Sequence, residues 1–303
     1  MRKILLTGKS GQVGWELQRT LAPLGELIAL GRQEMDLTDP DSITRVIRQI
    51  RPGLIVNAAG YTSVDNAEHE PDLAMTINGI APGIMAEEAK QMNAALIHYS
   101  TDYVFDGSKK SPYNEQDKPN PLNVYGRTKL AGEQAIQAVG APHIILRTSW
   151  VYGTRGKNFL LTILKLARER SELKIVEDQI GAPTWSRTLA EVTSQILAQH
   201  YSPISQSSVS IMDISGLYHA VSGGMTSWHG FAKKILEIAS SHIPHSLPRL
   251  APIPSMDYPA PAKRPPNSCL SCEKLKRTYG LVFPLWDKLL TQCLDDLVKA
   301  STF

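Results

Sequence analysis

The stretch Lys3-Ile-Leu-Leu-Thr-Gly-Lys-Ser-Gly-Gln-Val-Gly14 decides the fold. Its first five residues form an apolar run that suits a buried strand, and the run ends at Gly8. The apolar side chains of Val13, Leu17 and Leu21 then recur at the spacing of one helix face. A glycine-rich turn between a strand and a helix lets the backbone approach a pyrophosphate, whose charge the helix N-terminus stabilises.

The glycine spacing of this turn is G-x-x-G-x-x-G rather than G-x-G-x-x-G. Glycines alone are a weak signal, and the alternative interpretation is an ordinary tight turn between a strand and a helix. The strand before the turn and the helix after it favour a dinucleotide site. The residues predicted to contact the cofactor at this turn are Gly8, Gly11, Gln12, Val13 and Gly14.

The same alternation of strand and helix continues through the first half of the chain. Further strands are predicted at Glu26–Leu30, Leu54–Ala58, Ala95–Tyr99 and His143–Arg147, and helices at Asp41–Ile50, Leu73–Met92 (interrupted at Pro82) and Tyr125–Val139. This alternation predicts an α/β fold of the Rossmann type, a doubly wound parallel sheet with helices on both faces.

After Trp150 the pattern becomes less regular. Helices are predicted at Phe159–Glu169, Thr188–His200 and Trp286–Val298. Residues 240–268 are so rich in proline that we predict a surface loop there. We therefore expect a dinucleotide-binding domain over residues 1–155 and a smaller, irregular substrate domain over most of residues 156–303. Residues at about 173–220 are expected to return to the first domain.

Composition excludes several functional classes. Of the 303 residues, 42% are hydrophobic and 20% charged, which is typical of a globular protein rather than a disordered chain. The net charge is only +3 and the charged residues are scattered along the chain, which is not typical of a nucleic-acid-binding protein. No apolar run reaches the roughly 18 residues that cross a bilayer, and no signal-peptide core follows Met1. We therefore expect neither a membrane nor a nucleic-acid partner. Because the chain has only three cysteines, we also expect a cytoplasmic protein.

The end of the second strand bears on the type of nicotinamide cofactor. An acidic residue there would accept a hydrogen bond from the ribose 2′-hydroxyl, whereas an arginine favours a 2′-phosphate. Here the chain has Leu30-Gly31-Arg32, which favours NADPH and leaves NADH open; Arg32 could equally be a solvated loop charge. The other residues predicted to line the cofactor are Asp36, Leu37, Ala58, Ala59, Gly60, Tyr61 and Thr62.

A second group of residues suits proton transfer. Tyr125 and Lys129 lie one helical turn apart, and Thr101 follows a predicted strand. A nearby ammonium lowers the pKa of a tyrosine from about 10 toward the working range, and a threonine hydroxyl can bind a reacting carbonyl oxygen. A Y-x-x-x-K pair also occurs by chance as a surface stack. Together with the glycine turn, the three residues predict an oxidoreductase, with Tyr125 and Lys129 also contacting the cofactor.

These motifs resemble the extended short-chain dehydrogenase/reductases, and within them the dTDP-4-dehydrorhamnose reductases. The resemblance covers nearly the whole chain. It is carried by GKSGQVGWELQ (8–18), STDYVFDG (100–107), NVYGRTKLAGE (123–133), RTSWVYG (147–153), DQIGAPT (178–184), SWH (227–229) and RPPNS (264–268).

The resemblance implies a reaction and a set of roles. NADPH would reduce the C4 keto group of dTDP-4-dehydro-6-deoxy-L-mannose to give dTDP-L-rhamnose, with Tyr125 as the proton donor and Lys129 tuning its pKa. Thr101 and Asp102 would hold the sugar. Trp150 would pack against the sugar, unless it is an ordinary core aromatic. Arg264 would bind the diphosphate with its planar guanidinium, unless it forms a loop salt bridge.

Some members of this family are thought to dimerise around Mg²⁺ held by acidic residues. Glu16 matches the first of these, but Trp185-Ser186-Arg187 follows Thr184 without an acid. An arginine cannot ligate a cation, so we expect no metal-bridged dimer, while a homodimer of another kind stays open. The lone Cys269-Leu-Ser-Cys272 pair lacks the second pair that a zinc site of this type needs, so no metal site is predicted.

Two other functions remain as alternatives. One is another nucleotide-sugar enzyme of the same fold, such as an epimerase or a dehydratase. A dehydratase would need an added acid–base pair, typically a Glu after the strand-end Asp, whereas Tyr103 follows Asp102 here. The other is a non-catalytic regulatory subunit that binds NADP, which would have no need of Tyr125 as an acid.

Overall fold

The computed structural model describes residues 3–200, 213–240 and 247–300. Its centre is a parallel sheet of six strands, in the order β10-β5-β4-β3-β1-β2. The strands are β1 (Lys3–Thr7), β2 (Glu26–Leu30), β3 (Leu54–Asn57), β4 (Ala95–Thr101), β5 (His143–Thr148) and β10 (Gly216–His219). The predicted doubly wound α/β fold is confirmed, and β1 has the predicted bounds.

Helices cover both faces of the sheet because its strands are apolar on both sides. Along β1, Leu6 packs into the core beneath α1 and α8, and Leu5 packs into the core beneath α2, α5 and α6. These helices are α1 (Gln12–Leu21), α2 (Pro40–Ile50), α5 (Ala81–Gln91), α6 (Val124–Val139) and α8 (Ser186–His200). The sheet core therefore has two layers, with the sheet between them.

The helix predicted at Leu73–Met92 is built from three pieces. These are α4 (Pro71–Met75), a π-helical turn at Thr76–Ile80 and α5. A separate short helix, α3 (Val64–Ala67), comes before them. Pro82 lies in the first turn of α5, directly after the π-helical turn, which ends with a hydrogen bond from the Ala81 amide to the Thr76 carbonyl oxygen. The turn also packs closely on α6, since a Cβ at Gly132 would lie 2.1 Å from the Asn78 carbonyl oxygen.

Most of the remaining elements lie in or around a third apolar core outside the sheet, whereas Leu275 and Tyr279 pack into the core beneath α1 and α8. The third core is closed by α7 (Phe159–Glu169), α9 (Trp228–Ala239) and α11 (Trp286–Ala300). Short strands accompany them: β6 (Val151–Tyr152), β7 (Glu172–Val176), β8 (Ile180–Gly181), β9 (Thr184–Trp185) and β11 (Thr226–Ser227), with α10 (Glu273–Tyr279) near the end. Where one domain ends and the next begins stays a prediction.

The proline-rich segment departs from the sequence prediction. We predicted a surface loop throughout residues 240–268, but Arg249–Ile253 forms a strand, β12, paired in parallel with β7. The prediction is wrong for these residues because the pairing has only two strands, and an edge strand tolerates a proline such as Pro252. Residues 241–246 of the predicted loop lie outside the described residues.

Candidate active site

A cleft of about 830 Å³ opens at the carboxyl ends of the sheet strands. The chain runs from β1 to β2 on one side and then to β3 on the other, and such a reversal leaves a crevice where α/β proteins bind ligands. Nearly all the predicted cofactor contacts line the cleft: Gly8, Gly11, Gln12, Val13, Arg32, Asp36, Leu37, Ala58, Ala59, Gly60, Tyr61, Thr62, Tyr125 and Lys129. Of the predicted substrate contacts, Thr101, Asp102 and Trp150 line it too.

The glycine turn has the geometry of a phosphate cradle. Gly8 has φ +76°, and a Cβ there would lie 2.7 Å from the Ala59 amide nitrogen. Gly11 is the N-cap of α1 and offers no side chain to the first helical N–H groups, which stay available to an anion in the cleft. Gly14 does not line the cleft; its lack of a Cβ brings α1 close to the Gly8 carbonyl oxygen, 2.0 Å from where that Cβ would be.

The end of β2 carries a charge pair that the sequence analysis missed. The Glu34 carboxylate accepts a hydrogen bond of 2.8 Å from the Gly31 amide and forms an ion pair with Lys9. Within this ion pair the Lys9 ammonium donates a hydrogen bond to Glu34, and that bond is the main reason that the pKa of Glu34 is lowered. Arg32 is mostly exposed, with its Nε 3.7 Å from Asp36 Oδ2. Two cations and two carboxylates thus form two ion pairs beside Gly31, Lys9 with Glu34 and Arg32 with Asp36, and the first of these pairs was not predicted.

Tyr125 lies at the first turn of α6, which Asn123 caps by accepting a hydrogen bond of 2.8 Å from the Gly126 amide. Burial raises the pKa of Tyr125 to about 12, while a hydrogen bond with Thr101 acts in the opposite direction. Thr101 ends β4 and donates to Asp102 Oδ1 over 3.1 Å. Burial also raises the pKa of Asp102, to about 7.

Lys129 lies one turn further along α6, and its amine is directed to β4. Nζ donates to the Tyr99 carbonyl oxygen over 2.6 Å and lies 3.0 Å from His98 Nε2. Burial lowers the pKa of Lys129 to about 8. The structure therefore brings Thr101, Tyr125 and Lys129 to one wall of the cleft, but the group that counteracts the burial of Tyr125 is Thr101. The expected tuning of Tyr125 by Lys129 stays a prediction.

Trp150 holds a strained backbone, with φ +45°, and its ring lines the cleft. The ring stacks on Trp228 with 3.6 Å between centroids and an interplanar angle of 5°. The close approach of Gly181 supports it from behind, since a Cβ at Gly181 would lie 2.5 Å from Trp150 Cε2. Trp228, which also lines the cleft, falls in a motif already noted but was not predicted as a site residue.

Arg264 does not line the cleft. Its guanidinium donates to both carboxylate oxygens of Asp65, over 3.1 and 2.7 Å, which is the loop salt bridge left open above. It also hydrogen-bonds Tyr103, and Tyr103 does line the cleft. The role of Arg264 at a diphosphate stays a prediction.

A known protein family matches nearly the whole chain. The family model described as the RmlD substrate binding domain matches residues 1–299. The chain belongs to the RmlD family. Within the described ranges 3–200, 213–240 and 247–300, no helix of this RmlD-family chain is long and apolar enough to span a membrane.

Relatives within the RmlD family match over their whole length. A dTDP-4-dehydrorhamnose reductase of Burkholderia thailandensis is 46% identical over 300 residues, covering 98% of this chain and 99% of the relative. One from Escherichia coli K12 is 46% identical over 303 residues, with the same coverage. A crystal structure of dTDP-4-dehydrorhamnose reductase from Bacillus anthracis, in complex with NADP, has a TM-score of 0.88 at 33% identity and covers 98% of this chain and 100% of its own.

A more distant structure shares only the fold of this RmlD-family chain. A Thermus thermophilus UDP-glucose 4-epimerase in complex with NAD has a TM-score of 0.77 at 19% identity, covering 98% of this chain and 99% of its own.

Glu16 and the nearby Asp296 form ion pairs with arginines. Arg19 donates to Glu16 over 2.7 Å, and Arg187 approaches Glu16 at 3.5 Å and pairs with Asp296. Among the residues that the structure describes, no group of three or more His, Cys, Asp or Glu side chains could hold a metal ion.

Proposed function

We propose that the chain reduces the C4 keto group of dTDP-4-dehydro-6-deoxy-L-mannose with NADPH, forming dTDP-L-rhamnose. The observation that carries this proposal is the convergence of Thr101, Tyr125 and Lys129 on the cleft that begins at the glycine turn. The full-length similarity to dTDP-4-dehydrorhamnose reductases supports the choice of substrate, which the fold alone would not identify.

The glycine turn fits a dinucleotide. The backbone of Gly8 lies so close to that of Ala58 and Ala59 that a Cβ would clash, and the uncapped N-terminus of α1 suits a pyrophosphate. When bound, the dinucleotide supplies the hydride. Asp36 and Leu37 would lie at the adenine end, and Tyr125 and Lys129 at the nicotinamide end.

Proton transfer falls to Tyr125. Its hydroxyl gives a proton to the C4 oxygen of the sugar as that oxygen becomes an alkoxide, and the Thr101 hydroxyl holds the same oxygen. The ammonium form of Lys129 favours the phenolate that Tyr125 leaves behind. Asp102 would bind sugar hydroxyls, and the stacked Trp150 offers an apolar surface to the sugar ring.

A preference for NADPH over NADH is supported by Arg32 at the end of β2 and by the NADP complex of a relative. Lys9 and Arg32 could both reach a 2′-phosphate, whereas Glu34 would oppose it and could accept from a 2′-hydroxyl. Arg32 lies where an arginine favours a 2′-phosphate, and the Bacillus anthracis relative was solved in complex with NADP, so NADPH is preferred and NADH remains usable.

Three further points belong to the same proposal. The dinucleotide-binding domain would cover residues 1–155 together with residues at about 173–220, and the sugar-binding domain most of residues 156–303. The protein would work in the cytoplasm, in line with its free cysteines. It would need no metal-bridged dimer, because Arg187 supplies the positive charge between Glu16 and Asp296.

The deciding experiment follows NADPH absorbance after addition of dTDP-4-dehydro-6-deoxy-L-mannose, prepared in situ, and identifies the product. Turnover to dTDP-L-rhamnose supports the proposal. Conversion of a nucleotide sugar without net oxidation of NADPH would indicate an epimerase or dehydratase instead. Tight NADPH binding with no turnover of any candidate sugar would favour a regulatory subunit.

A further inference from the structure

A chain of buried hydrogen bonds runs from β1 across the sheet to Lys129. The Thr7 hydroxyl donates to Asn57 Oδ1 over 2.7 Å. Asn57 Nδ2 lies 3.1 Å from His98 Nδ1, and His98 Nε2 lies 3.0 Å from Lys129 Nζ. All four side chains are buried, with exposed fractions of 4% or less, so their hydrogen bonds have to be satisfied among themselves and the backbone.

The backbone settles which way the Asn57 amide points. The Ala59 amide donates to Asn57 Oδ1 over 3.1 Å, and a backbone N–H can only donate. The opposite orientation would turn the Asn57 NH₂ group toward that N–H. The Asn57 Nδ2 group therefore faces His98 and donates to Nδ1.

This orientation determines the tautomer of His98. A neutral imidazole has one N–H and one acceptor nitrogen. Because Nδ1 accepts from Asn57, the single proton is on Nε2. Burial holds the pKa of His98 well below its usual value, which favours the neutral ring.

The proton on His98 Nε2 points at Lys129 Nζ. An ammonium has three donors and no acceptor, so the charged form of Lys129 would meet a second donor at 3.0 Å. A neutral amine has one lone pair, which accepts from His98, and can still donate to the Tyr99 carbonyl oxygen over 2.6 Å. This arrangement satisfies every group only when Lys129 is neutral.

The charged group that favours the ammonium form of Lys129 is already paired, so the contact of Lys129 with His98 decides between the neutral amine and the ammonium. Glu133, one turn further along α6, favours the ammonium, but its two carboxylate oxygens accept from Arg147 of β5 over 2.8 and 2.6 Å. One of these oxygens also accepts from Ser100 of β4. On the other side, Tyr125 precedes Lys129 by one turn and lies near Asp102.

We propose that His98 is a positioning residue that donates its Nε2 proton to the neutral Lys129 amine and thereby favours the neutral form of Lys129 against β4. Protonation of Nζ by solvent removes the acceptor, so the ammonium no longer gains from this contact. Lys129 is then free to serve as the cation beside the Tyr125 phenolate. The inference rests on the proposed function, because it assigns Lys129 to the reductase site.

The first test reads the tautomer directly and needs no turnover. The ligand-free protein is labelled with ¹⁵N-histidine, and the His98 signals are assigned by their loss in His98→Gln or, if that variant does not fold, by triple-resonance spectroscopy. We expect Nε2 protonated and Nδ1 unprotonated from about pH 6 to about pH 9, since the neutral ring is favoured throughout. A proton on Nδ1, or an imidazolium at neutral pH, overturns the inference even if the reductase activity is established.

The second test uses the alkaline limb of the pH profile of kcat/KM. In His98→Gln the introduced amide can turn its carbonyl oxygen toward Lys129 and accept from the ammonium, so the limb should move up by about one pH unit. The control is His219→Gln, which replaces a buried histidine of β10 and should leave the limb in place. An unmoved limb in His98→Gln contradicts the inference. If the wild type turns over no sugar, the proposed function fails while the tautomer measurement still decides the role of His98.

Discussion

Arg264 Nη2 lies 2.7 Å from Asp65 Oδ2, and this ion pair joins the proline-rich segment to α3 beside the cleft. The same side chain hydrogen-bonds Tyr103 on the cleft wall. A guanidinium has five donors in one plane, so Arg264 can keep its carboxylate partner and still bind phosphate oxygens. A lysine has only three donors, all on one nitrogen, so it cannot pair with both carboxylate oxygens and bind a phosphate at the same time.

Arg264→Lys should therefore weaken binding of the nucleotide sugar. We expect KM for the sugar to rise about tenfold, equivalent to about 1.4 kcal/mol, with kcat and the NADPH dissociation constant little changed. Steady-state kinetics and NADPH fluorescence titration measure these quantities. Arg249→Lys is the matched control, because Arg249 forms an exposed pair with Glu172 on β7. Equal KM values for wild type and Arg264→Lys would remove Arg264 from the substrate site.

Tyr125→Phe should abolish proton transfer without disturbing the cofactor. We expect turnover to fall by about 10²–10⁴, the usual contribution of a general acid, with NADPH binding nearly intact. Tyr218→Phe is the control, since it also removes one buried hydroxyl, which donates to the Ile214 carbonyl oxygen away from the cleft. Turnover of Tyr125→Phe close to that of wild type would mean that another group supplies the proton.

Glu34→Gln should shift cofactor preference toward NADPH. The amide oxygen can still accept from the Gly31 N–H, but the charge that opposes a 2′-phosphate and engages Lys9 is lost. We expect the ratio of kcat/KM for NADPH to that for NADH to rise about fivefold, an effect of about 1 kcal/mol. Glu26→Gln, at the amino end of the same strand, should leave the ratio unchanged. A fall in the ratio would show that Glu34 does not face the 2′ position.

Asp106 should stabilise the fold only above acidic pH. It accepts from the Ser108 amide over 2.9 Å and from Asn120 Nδ2 over 2.9 Å, and these contacts hold its pKa well below the usual value. A carboxyl whose folded pKa is depressed contributes stability above its unfolded pKa and loses it as pH falls toward the folded pKa.

We therefore expect Asp106→Asn to lower the melting temperature at pH 7 and to approach the wild-type value as the pH drops below about 4. Thermal unfolding of both proteins across this range measures the difference. A gap of constant size at every pH would mean that the charge of Asp106 contributes nothing.

Five of the six sheet strands could be predicted, because buried parallel strands are short local runs of apolar residues; β10 was not predicted. Lys3–Thr7 and Glu26–Leu30 have their predicted bounds for this reason. The pairing of Arg249–Ile253 with β7 could not be predicted, since its partner is distant in sequence and its prolines are typical of loops. Pairing between distant segments is a property of the folded chain rather than of either segment.

Some of the site residues could likewise be predicted from the sequence, and others could not. The glycine turn and Tyr125 to Lys129 carry local spacing, so sequence alone placed them on the cleft. The Lys9–Glu34 pair depends on the register of β1 against β2, which brings residues from two turns together. His98 lies within an apolar strand and would pass for an ordinary core residue; only the contacts of Asn57 and Lys129 give it a chemical role.

The position of β10 has a consequence for synthesis on the ribosome. Gly216–His219 pairs with β5, yet it follows β5 only after the whole of α7 and α8. A nascent chain that has emerged only through β5 exposes the unpaired backbone edge of that strand, a template on which other strands can add. The sheet that carries the glycine turn is therefore incomplete when the residues through β5 have been made, and its last strand comes from the second half of the chain.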